Sequence, residues 1–507
     1  MNRPYRLLQN GEAVPRREIP ELSLERFQQE LLGGIEDGWR VVTYFGAAEG
    51  GAVRLYAILS NKMEGVLGVM SALATAREIP TLTPYAPQLH LFEREIAEQF
   101  GLVIEDHPWF KPVRFAPPLA SPPGAPARTP AKAAHKIGLM EFYRVEGAEI
   151  HEVAVGPVHA GIIEPGHFRF QCFGEEVLHL EVSLGYQHRA VERLVQGPLT
   201  AATRKRMEAV AGDTTIGHGT AHTMVVEALG GGRVPARAQA IRAVALELER
   251  LANHTGDLGA ISGDVGYLPT ASFCGRIRGD FLNLTAELCG SRFGRDLVIP
   301  GGVAFDVSRE LAEKMAGRLQ KAFDDVANAV DLLWETPSVM ARLEGTGVVS
   351  GETALEIGMV GPAARASGLN RDIRRDHPFG IYAMSHIPVE TARAGDVYAR
   401  TLVRWLEVEK SVEFIQEQLT HLPGVAFQYP AGTIAGDCLA VALTEGWRGE
   451  ICHVGITDER GGFARYKVTD PSFHNWTGLA MALRGGQISD FPLCNKSFNL
   501  SYCGFDL

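Results

Sequence analysis

The stretch from Pro117 to Lys136, Pro-Pro-Leu-Ala-Ser-Pro-Pro-Gly-Ala-Pro-Ala-Arg-Thr-Pro-Ala-Lys-Ala-Ala-His-Lys, constrains this chain more than any other. Proline and alanine at that density give an extended, semi-stiff connection and no core. The fold must therefore be assembled from a unit on either side, residues 1–116 and 137–507. A length of 507 residues asks for two or three domains in any case. With 46% hydrophobic and 21% charged residues, both units have the means to build a core. A net charge of −11 argues against nucleic acid as a partner. No apolar run approaches the roughly 18 residues that span a bilayer, and Met1-Asn-Arg-Pro-Tyr does not open a signal peptide. Seven scattered cysteines form neither a disulfide framework nor a paired zinc motif and read as thiols in a reducing cytoplasm.

In the first unit, Leu24 to Gly38 has apolar residues at helical spacing. Trp39–Phe45 and Val53–Leu59 read as paired strands, and Glu78 to Thr83 as a further short strand. Phe92 to Gly101 is a short helix with a glycine stop. It carries Glu93-Arg94-Glu95, and Glu105-Asp-His107-Pro108-Trp109 follows it. The acidic helix and the His-Pro turn, in that order, resemble the small accessory subunit that neighbours the quinone-site subunit of respiratory complex I. The resemblance makes Glu93, Arg94 and Glu95 docking residues; read without it, they are a solvated helix face.

In the second unit, Glu149 to Val155 alternates as a strand. His167–Cys172 and Val177–Leu184 form an antiparallel hairpin, and Leu184 to Glu192 turns into a helix. Val234 to Gly259 is the strongest helix, with Ile241, Val244, Leu248, Leu251 and Leu258 on one stripe. Glu247, Arg250, His254 and Asp257 run beside it, either as a salt-bridge ladder on the surface or as the polar edge of a pocket. Residues 280–342 continue helical around Val298-Ile-Pro-Gly-Gly-Val. Val348 to Ala366 holds strand-like pieces. Gly395 to Glu417 is a long helix. Leu439 to Thr457 is a hairpin with Arg448-Gly449 at its tip, and Arg465 to Pro471 is the strand before the terminal segment. Lys467 there matches no catalytic pattern. No Gly-x-Gly-x-x-Gly follows a strand and opens a helix, so the chain itself has no NAD site.

Three passages of this unit carry a second resemblance. Gly156-Pro-Val-His, the Leu184-Gly-Tyr-x-His-Arg-x-x-Glu192 turn and Pro235-x-Arg to Asp257-Leu-Gly259 are together similar to the large subunits of group 4 energy-converting nickel-iron hydrogenases and to the quinone-site subunit of complex I. Gly361-Pro-x-x-Arg-x-x-Gly368 follows the same family. The resemblance implies an α+β fold: a small N-terminal α/β domain, the Pro/Ala linker, then a large, mainly helical domain with an N-terminal antiparallel hairpin and a C-terminal β hairpin. The linker then resembles the join of an accessory subunit fused to a large subunit.

Gly212-Asp-Thr-Thr-Ile-Gly-His-Gly-Thr-Ala-His222 lies where hydrogenases of this family have their first metal-binding loop. Thr215 and His218 take the cysteine positions, and His222 matches the histidine that follows. Near the C-terminus, Ser497 to Asp506 resembles the family's second loop, with Ser501 and Gly504 in the cysteine positions. Soft thiolates select nickel and iron, and two hydroxyls, an imidazole and a glycine cannot replace them. The family implies three converging groups. The first is Glu164 and His167 with Asp257, which handle protons or touch a quinone; a structural hydrogen bond is the plainer role for His167. The second is His218 and His222 with Asp213, Thr214 and Thr215, where His218 pairs with Asp213 or replaces a ligand. The tyrosine that complex I places near His222 is missing from this stretch. The third is Arg448 with Asp490, Cys494, Ser501 and Cys503, where the two cysteines could hold a metal only after a shift in register.

Two functions fit. In one, the chain is the large subunit of a complex I-like oxidoreductase, lining a pocket where an iron-sulfur partner subunit passes electrons to quinone or a similar acceptor, coupled to proton or ion movement, with no nickel-iron centre. In the other it is a chemically silent scaffold coupling that partner to antiporter-like and quinone-channel-like membrane subunits. Either places it on the cytoplasmic side of the membrane, attached through its partners.

Overall fold

The computed structural model describes residues 3–121, 123, 136–161 and 163–507. Most of the expected Pro117–Lys136 linker lies outside them. The first unit contains β1 (Arg6–Leu8), β2 (Glu12–Pro15), β3 (Glu21–Leu22), α1 (Leu24–Glu36), β4 (Arg40–Glu49), β5 (Ala52–Asn61), β6 (Val66–Ala74), β7 (Glu78–Pro80), α2 (His90–Phe100) and β8 (Val103–Glu105). Ser23 caps α1 by accepting from the Arg26 N–H. Gly101, at φ 63°, ends α2 in the left-handed region that glycine adopts without strain. The sheet runs β1-β6-β5-β4, with β3 parallel to β6. Alternate residues of β4 and β5 feed two cores. Val42, Phe45, Tyr56 and Ile58 join one that includes Ile241, Leu248 and Leu251, and Tyr44, Leu55 and Ala57 join another that includes Phe92, Phe473 and Trp476. Both cores are shared between the units.

The second unit opens with β9 (Ile150–Val155), β10 (His167–Phe173) and β11 (Glu176–Ser183), an antiparallel sheet in the order β11-β10-β9. The helix expected from Leu184 shrinks to α3 (Val191–Leu194), because Gly185 at φ 98° and Ala190 at φ 56° break the backbone twice. Then come α4 (Ala201–Met207), α5 (Thr215–Gly230), α6 (Ala236–Asp264), α7 (Leu268–Cys289), the short pair β12 (Val298–Ile299) and β13 (Gly302–Val303), α8 (Arg309–Trp334) and α9 (Pro337–Leu343). The strand-like pieces expected in 348–366 are helices instead, α10 (Gly351–Glu356) and α11 (Gly361–Ala366). Ser350 caps the first, and Pro362 sits in the first turn of the second. After α12 (Ile373–Asp376) and α13 (Val397–Thr420), strands β14 (Cys438–Gly446), β15 (Gly449–Thr457) and β16 (Phe463–Thr469) lead to α14 (Pro471–Leu483), α15 (Phe491–Phe498) and α16 (Tyr502–Asp506).

One strand crosses the expected boundary. β2 pairs antiparallel with β14, Val14 opposite Leu439, and completes the sheet β16-β15-β14-β2. The helix face of Glu93, Arg94 and Glu95 is buried, not solvated. Glu93 accepts from the hydroxyls of Thr81 and Thr83 and from the Leu82 N–H. Arg94 donates to the carbonyls of Lys111 and Pro112. Glu95 reaches the second unit, where Lys467 Nζ sits 2.6 and 2.7 Å from its two oxygens.

Candidate functional site

The stretch expected as a metal-binding loop is a loop only to Thr214; from Thr215 it is the first turn of α5. The Ile216 and Gly217 N–H groups donate at 2.7 and 3.1 Å to Glu249 of α6, a carboxyl at a helix N-terminus. Burial pushes Glu249 up to about 8 in spite of those bonds. Gly217 is required by proximity: a Cβ there would stand 2.7 Å from Ile451 Cδ1 on β15. Helical spacing then places His218 and His222, four apart, on the face turned to the sheet.

There they enter a line of buried polar groups. Asp470, the N-cap of α14, lies 3.0 Å from His218 Nε2. His218 Nδ1 is 3.0 Å from His453 Nε2 on β15. His453 Nδ1 is 2.9 Å from the Tyr466 hydroxyl on β16, which is also 2.9 Å from His222 Nδ1. The expected pairing of His218 with Asp213 is therefore replaced by Asp470, which comes off the sheet straight at the helix. Burial takes His222 down to about 3, with the charge of Arg204 adding to it, and carries His453 well below the ordinary range and Tyr466 well above it. All three are neutral near pH 7. Burial would raise Asp470, but the His218 bond and the charge of Arg448 outweigh it and hold the carboxyl low.

The two degenerate loops meet at this carboxylate. A Cβ on Gly504 would lie 2.6 Å from Asp470 Oδ2 and 2.9 Å from Ser501 Oγ. Asp470 thus fills the space of a side chain at 504 and bonds to the one at 218. Ser501 turns its hydroxyl to the Gly504 N–H as a helix cap, and the Thr215 hydroxyl is buried without a partner. These residues do not fit a nickel-iron centre: the donors are hard or missing, and the Asp470–His218 pair occupies the space between two of the four positions. Among the described residues, no three His, Cys, Asp or Glu side chains are grouped to hold a metal ion.

Arg448, at the tip of the β14–β15 hairpin, bridges the same two loops. It donates to both oxygens of Asp213 at 2.7 and 2.8 Å and, through Nε, to the Asn499 carbonyl at 2.6 Å, and it stacks 3.9 Å over Trp447. Of its expected companions, Ser501 and Cys503 stand in the terminal loop. Asp490 is instead on the surface with Arg342, and Cys494 is buried against Gly347, with burial raising its thiol to about 11. The two cysteines do not converge. Cys503 sits 3.4 Å from Ser501 Oγ, and burial, with Glu164 beside it, raises it to about 12.

Among the described residues, no hydrogen bond joins the three members of the first expected group. Glu164 does reach the terminal loop and accepts from the Tyr502 N–H at 3.2 Å. His167 has both ring nitrogens engaged, Nδ1 with the Gly156 carbonyl at 3.3 Å and Nε2 with Arg169 at 3.2 Å. Asp257 accepts from the Asn499 amide at 2.6 Å and pairs with Arg404 at 2.9 Å. No hydrogen bond joins Asp257 to a histidine, because Arg404 and Asn499 occupy its two oxygens.

The rest of the polar line on α6 is neither a surface ladder nor a wet edge. Glu247, Arg250 and His254 are fully buried. Arg250 pairs with Glu247 at 3.0 Å and His254 with Glu407 of α13 at 2.8 Å. Arg365 joins Glu407 and Glu445, and Arg374 joins Asp372 and Glu247. Spacing on one helix revealed three members of this cluster; the others lie on four distant elements and gave no local signal.

Over residues 264–436 the chain matches the family model of the respiratory-chain NADH dehydrogenase 49 Kd subunit, and over residues 40–134 that of the 30 Kd subunit. It is 30% identical to formate hydrogenlyase subunit 5 of Escherichia coli (strain K12), over 85% of this chain and 77% of that protein. It is 30% identical to the carbon monoxide-induced hydrogenase of Rhodospirillum rubrum, over 69% and 97%. One of the NADH-quinone oxidoreductase subunits of Chloroherpeton thalassium is 31% identical, over 66% and 82%. Among solved structures, a chain of the membrane-bound sulfane sulfur reductase, an archaeal respiratory membrane complex, superposes with a TM-score of 0.66 at 24% identity, covering 72% of this chain and all of that one.

Proposed function

The chain belongs to the family that unites the 49 Kd subunit of respiratory NADH dehydrogenase with the large subunits of membrane-bound hydrogenases, and from that membership we propose that it is the large peripheral-arm subunit of a complex I-like, hydrogenase-related oxidoreductase without a nickel-iron centre. Its pocket lies where the two degenerate loops meet. Electrons arrive there from an iron-sulfur partner subunit and pass to a quinone or a similar acceptor. The chain sits on the cytoplasmic side, carried by quinone-channel-like and antiporter-like membrane subunits. No described helix is long and apolar enough to cross a membrane by itself. The observation that carries this reading is the Asp470 carboxylate in the space of residue 504: the metal ligands are gone, and proton-handling groups stand in their place. Glu164, His167, His218, His222, Asp257 and Arg448 are the residues assigned to the pocket.

The test is purification of the intact complex, with metal analysis and quinone-dependent electron transfer in the wild type and in His167→Ala. Substoichiometric nickel, with quinone reduction lost in the variant, is the expected outcome. A specific observation favours a second reading, the silent scaffold: both ring nitrogens of His167 are engaged within the chain, and Asp257 is held by Asn499 and paired with Arg404. Quinone reduction unaffected by His167→Ala, with the assembly intact, would select the scaffold.

A further inference from the structure

Along the inner face of α5, five side chains follow one another, and the reading above gives them no common task. Asp470, His218, His453, Tyr466 and His222 are each at most 1% exposed and stand 3.0, 3.0, 2.9 and 2.9 Å apart. One assignment satisfies all four contacts with a single proton on each ring. Ionised Asp470 only accepts, so His218 donates to it from Nε2. With its one proton so placed, His218 accepts at Nδ1 from Nε2–H of His453. His453 accepts at Nδ1 from the Tyr466 hydroxyl, and the Tyr466 oxygen accepts from Nδ1–H of His222. Every shared proton points toward Asp470. His222 Nε2 remains a bare acceptor, buried and without a partner among the described residues.

We propose that this line is a proton relay, taking up a proton at His222 Nε2 and delivering one to Asp470 where the two degenerate loops meet. The step balances. An N–H bond forms at His222 Nε2 as an O–H bond of hydronium breaks and leaves water, and the Nδ1 proton passes to the Tyr466 oxygen. The hydroxyl proton of Tyr466 passes to His453 Nδ1. The Nε2 proton of His453 passes to His218 Nδ1, and that of His218 passes to Asp470 Oδ2. One proton enters and one carboxylate is neutralised, and each of the four hydrogen bonds survives with its direction reversed. No ring has to turn for delivery. The surroundings suit the two ends. α4 covers the His222 end with Arg204, whose charge bears on the ring, and Glu208, which lies against α5 at Gly219; Phe463 packs on the ring itself. Glu192 bears on His453 from α3. Asp470 is faced by the Ser472 N–H, by Gly504 and Ser501, and by the charge of Arg448.

That the delivered proton serves a bound acceptor rests on the proposed function; conduction along the line does not, and it is measured without electron donor or acceptor. The full-length chain, labelled with nitrogen-15 in histidine, is transferred to deuterated buffer, and the exchange of the His218 ring proton is followed by NMR in the wild type, Tyr466→Phe and His222→Gln. Phenylalanine removes the hydroxyl, and glutamine donates to it but cannot pass a proton on. The relay predicts at least a ten-fold slower exchange in each variant. A merely structural network predicts the opposite, because lost hydrogen bonds loosen the site and speed exchange. Should Tyr466→Phe not fold, His222→Gln gives the same cut from the other element. Exchange as fast as in the wild type or faster, or a wild-type proton that does not exchange at all, overturns the proposal.

Discussion

The second unit holds two buried polar systems, both reached from the first half of its helices, and they are built on opposite principles. Around Glu407 the interior holds charges: Arg250, Arg365 and Arg374 face Glu247, Asp372, Glu407 and Glu445 in direct pairs. Along α5 it holds three imidazoles and a phenol, with one carboxylate at the end. A buried ion is tolerated only while its partner is present. A neutral imidazole is tolerated only while it stays neutral. The first system is held by ion pairs, and the second keeps all four hydrogen bonds when its shared protons shift together, which is why the second is the one given a conducting role.

The sharpest way to break the contrast is Glu407→Ala. It leaves Arg365 buried beside one partner fewer and strips His254 of its only acceptor. A loss of about 3–5 kcal/mol is expected for a broken buried pair, read as the shift in urea unfolding midpoint. Next is Gly504→Ala at the end of the line along α5. The added methyl meets Asp470 at 2.6 Å, and Asp470 is pinned by the Ser472 N–H and His218. Overpacking of that kind costs about 1–3 kcal/mol, and the midpoint of Gly504→Ala should fall accordingly.

Acidification tests the line along α5 without a change of shape. His222 is held near 3 in the folded chain against an ordinary 6.5. Between those values the unfolded chain binds a proton that the folded chain refuses, so stability falls as the pH drops, by about 1.4 kcal/mol per unit. Glu407, held far below the carboxylate range, keeps its contribution through the same window. Unfolding at pH 6.5 and at about pH 5 should therefore show His222→Gln losing about 1–2 kcal/mol less than the wild type. The smallest effect belongs to a pair outside both systems. Asp490 and Arg342 meet on the surface, with side chains 22% and 53% exposed, and Asp490→Ala should move the midpoint by less than about 0.5 kcal/mol.

Elements with a clear period were legible. The apolar stripe of α6, the β10–β11 hairpin and the β14–β15 hairpin with Arg448 at its tip all follow from local pattern. Residues 348–366 misled because Val, Ile and Met around glycines mimic strands, while Ser350 and Pro362 were the helix starts in plain view. In the candidate site, His218 and His222 were found by their place in the family's loop. Asp470, His453 and Tyr466 were not, for a physical reason: Asp470 reads locally as an ordinary helix cap, His453 and Tyr466 sit at strand positions, and their partners on α5 lie 235 to 252 positions away. His453 and Tyr466 are diagonal neighbours on one face of β15 and β16. Two polar side chains on the inward face of paired strands are the signal that would have found them.

The exchange of a strand between the units has a consequence for how this fusion can be handled. Cutting inside the Pro/Ala segment should release nothing, since β2 stays annealed along β14 and Lys467 stays inserted at Glu95. Expressing residues 137–507 by themselves would bare the β14 edge and leave Lys467 with Glu192 as its remaining carboxylate, an invitation to aggregate. The two units share a strand, two cores and a buried ion pair, and the peptide tether adds little to that.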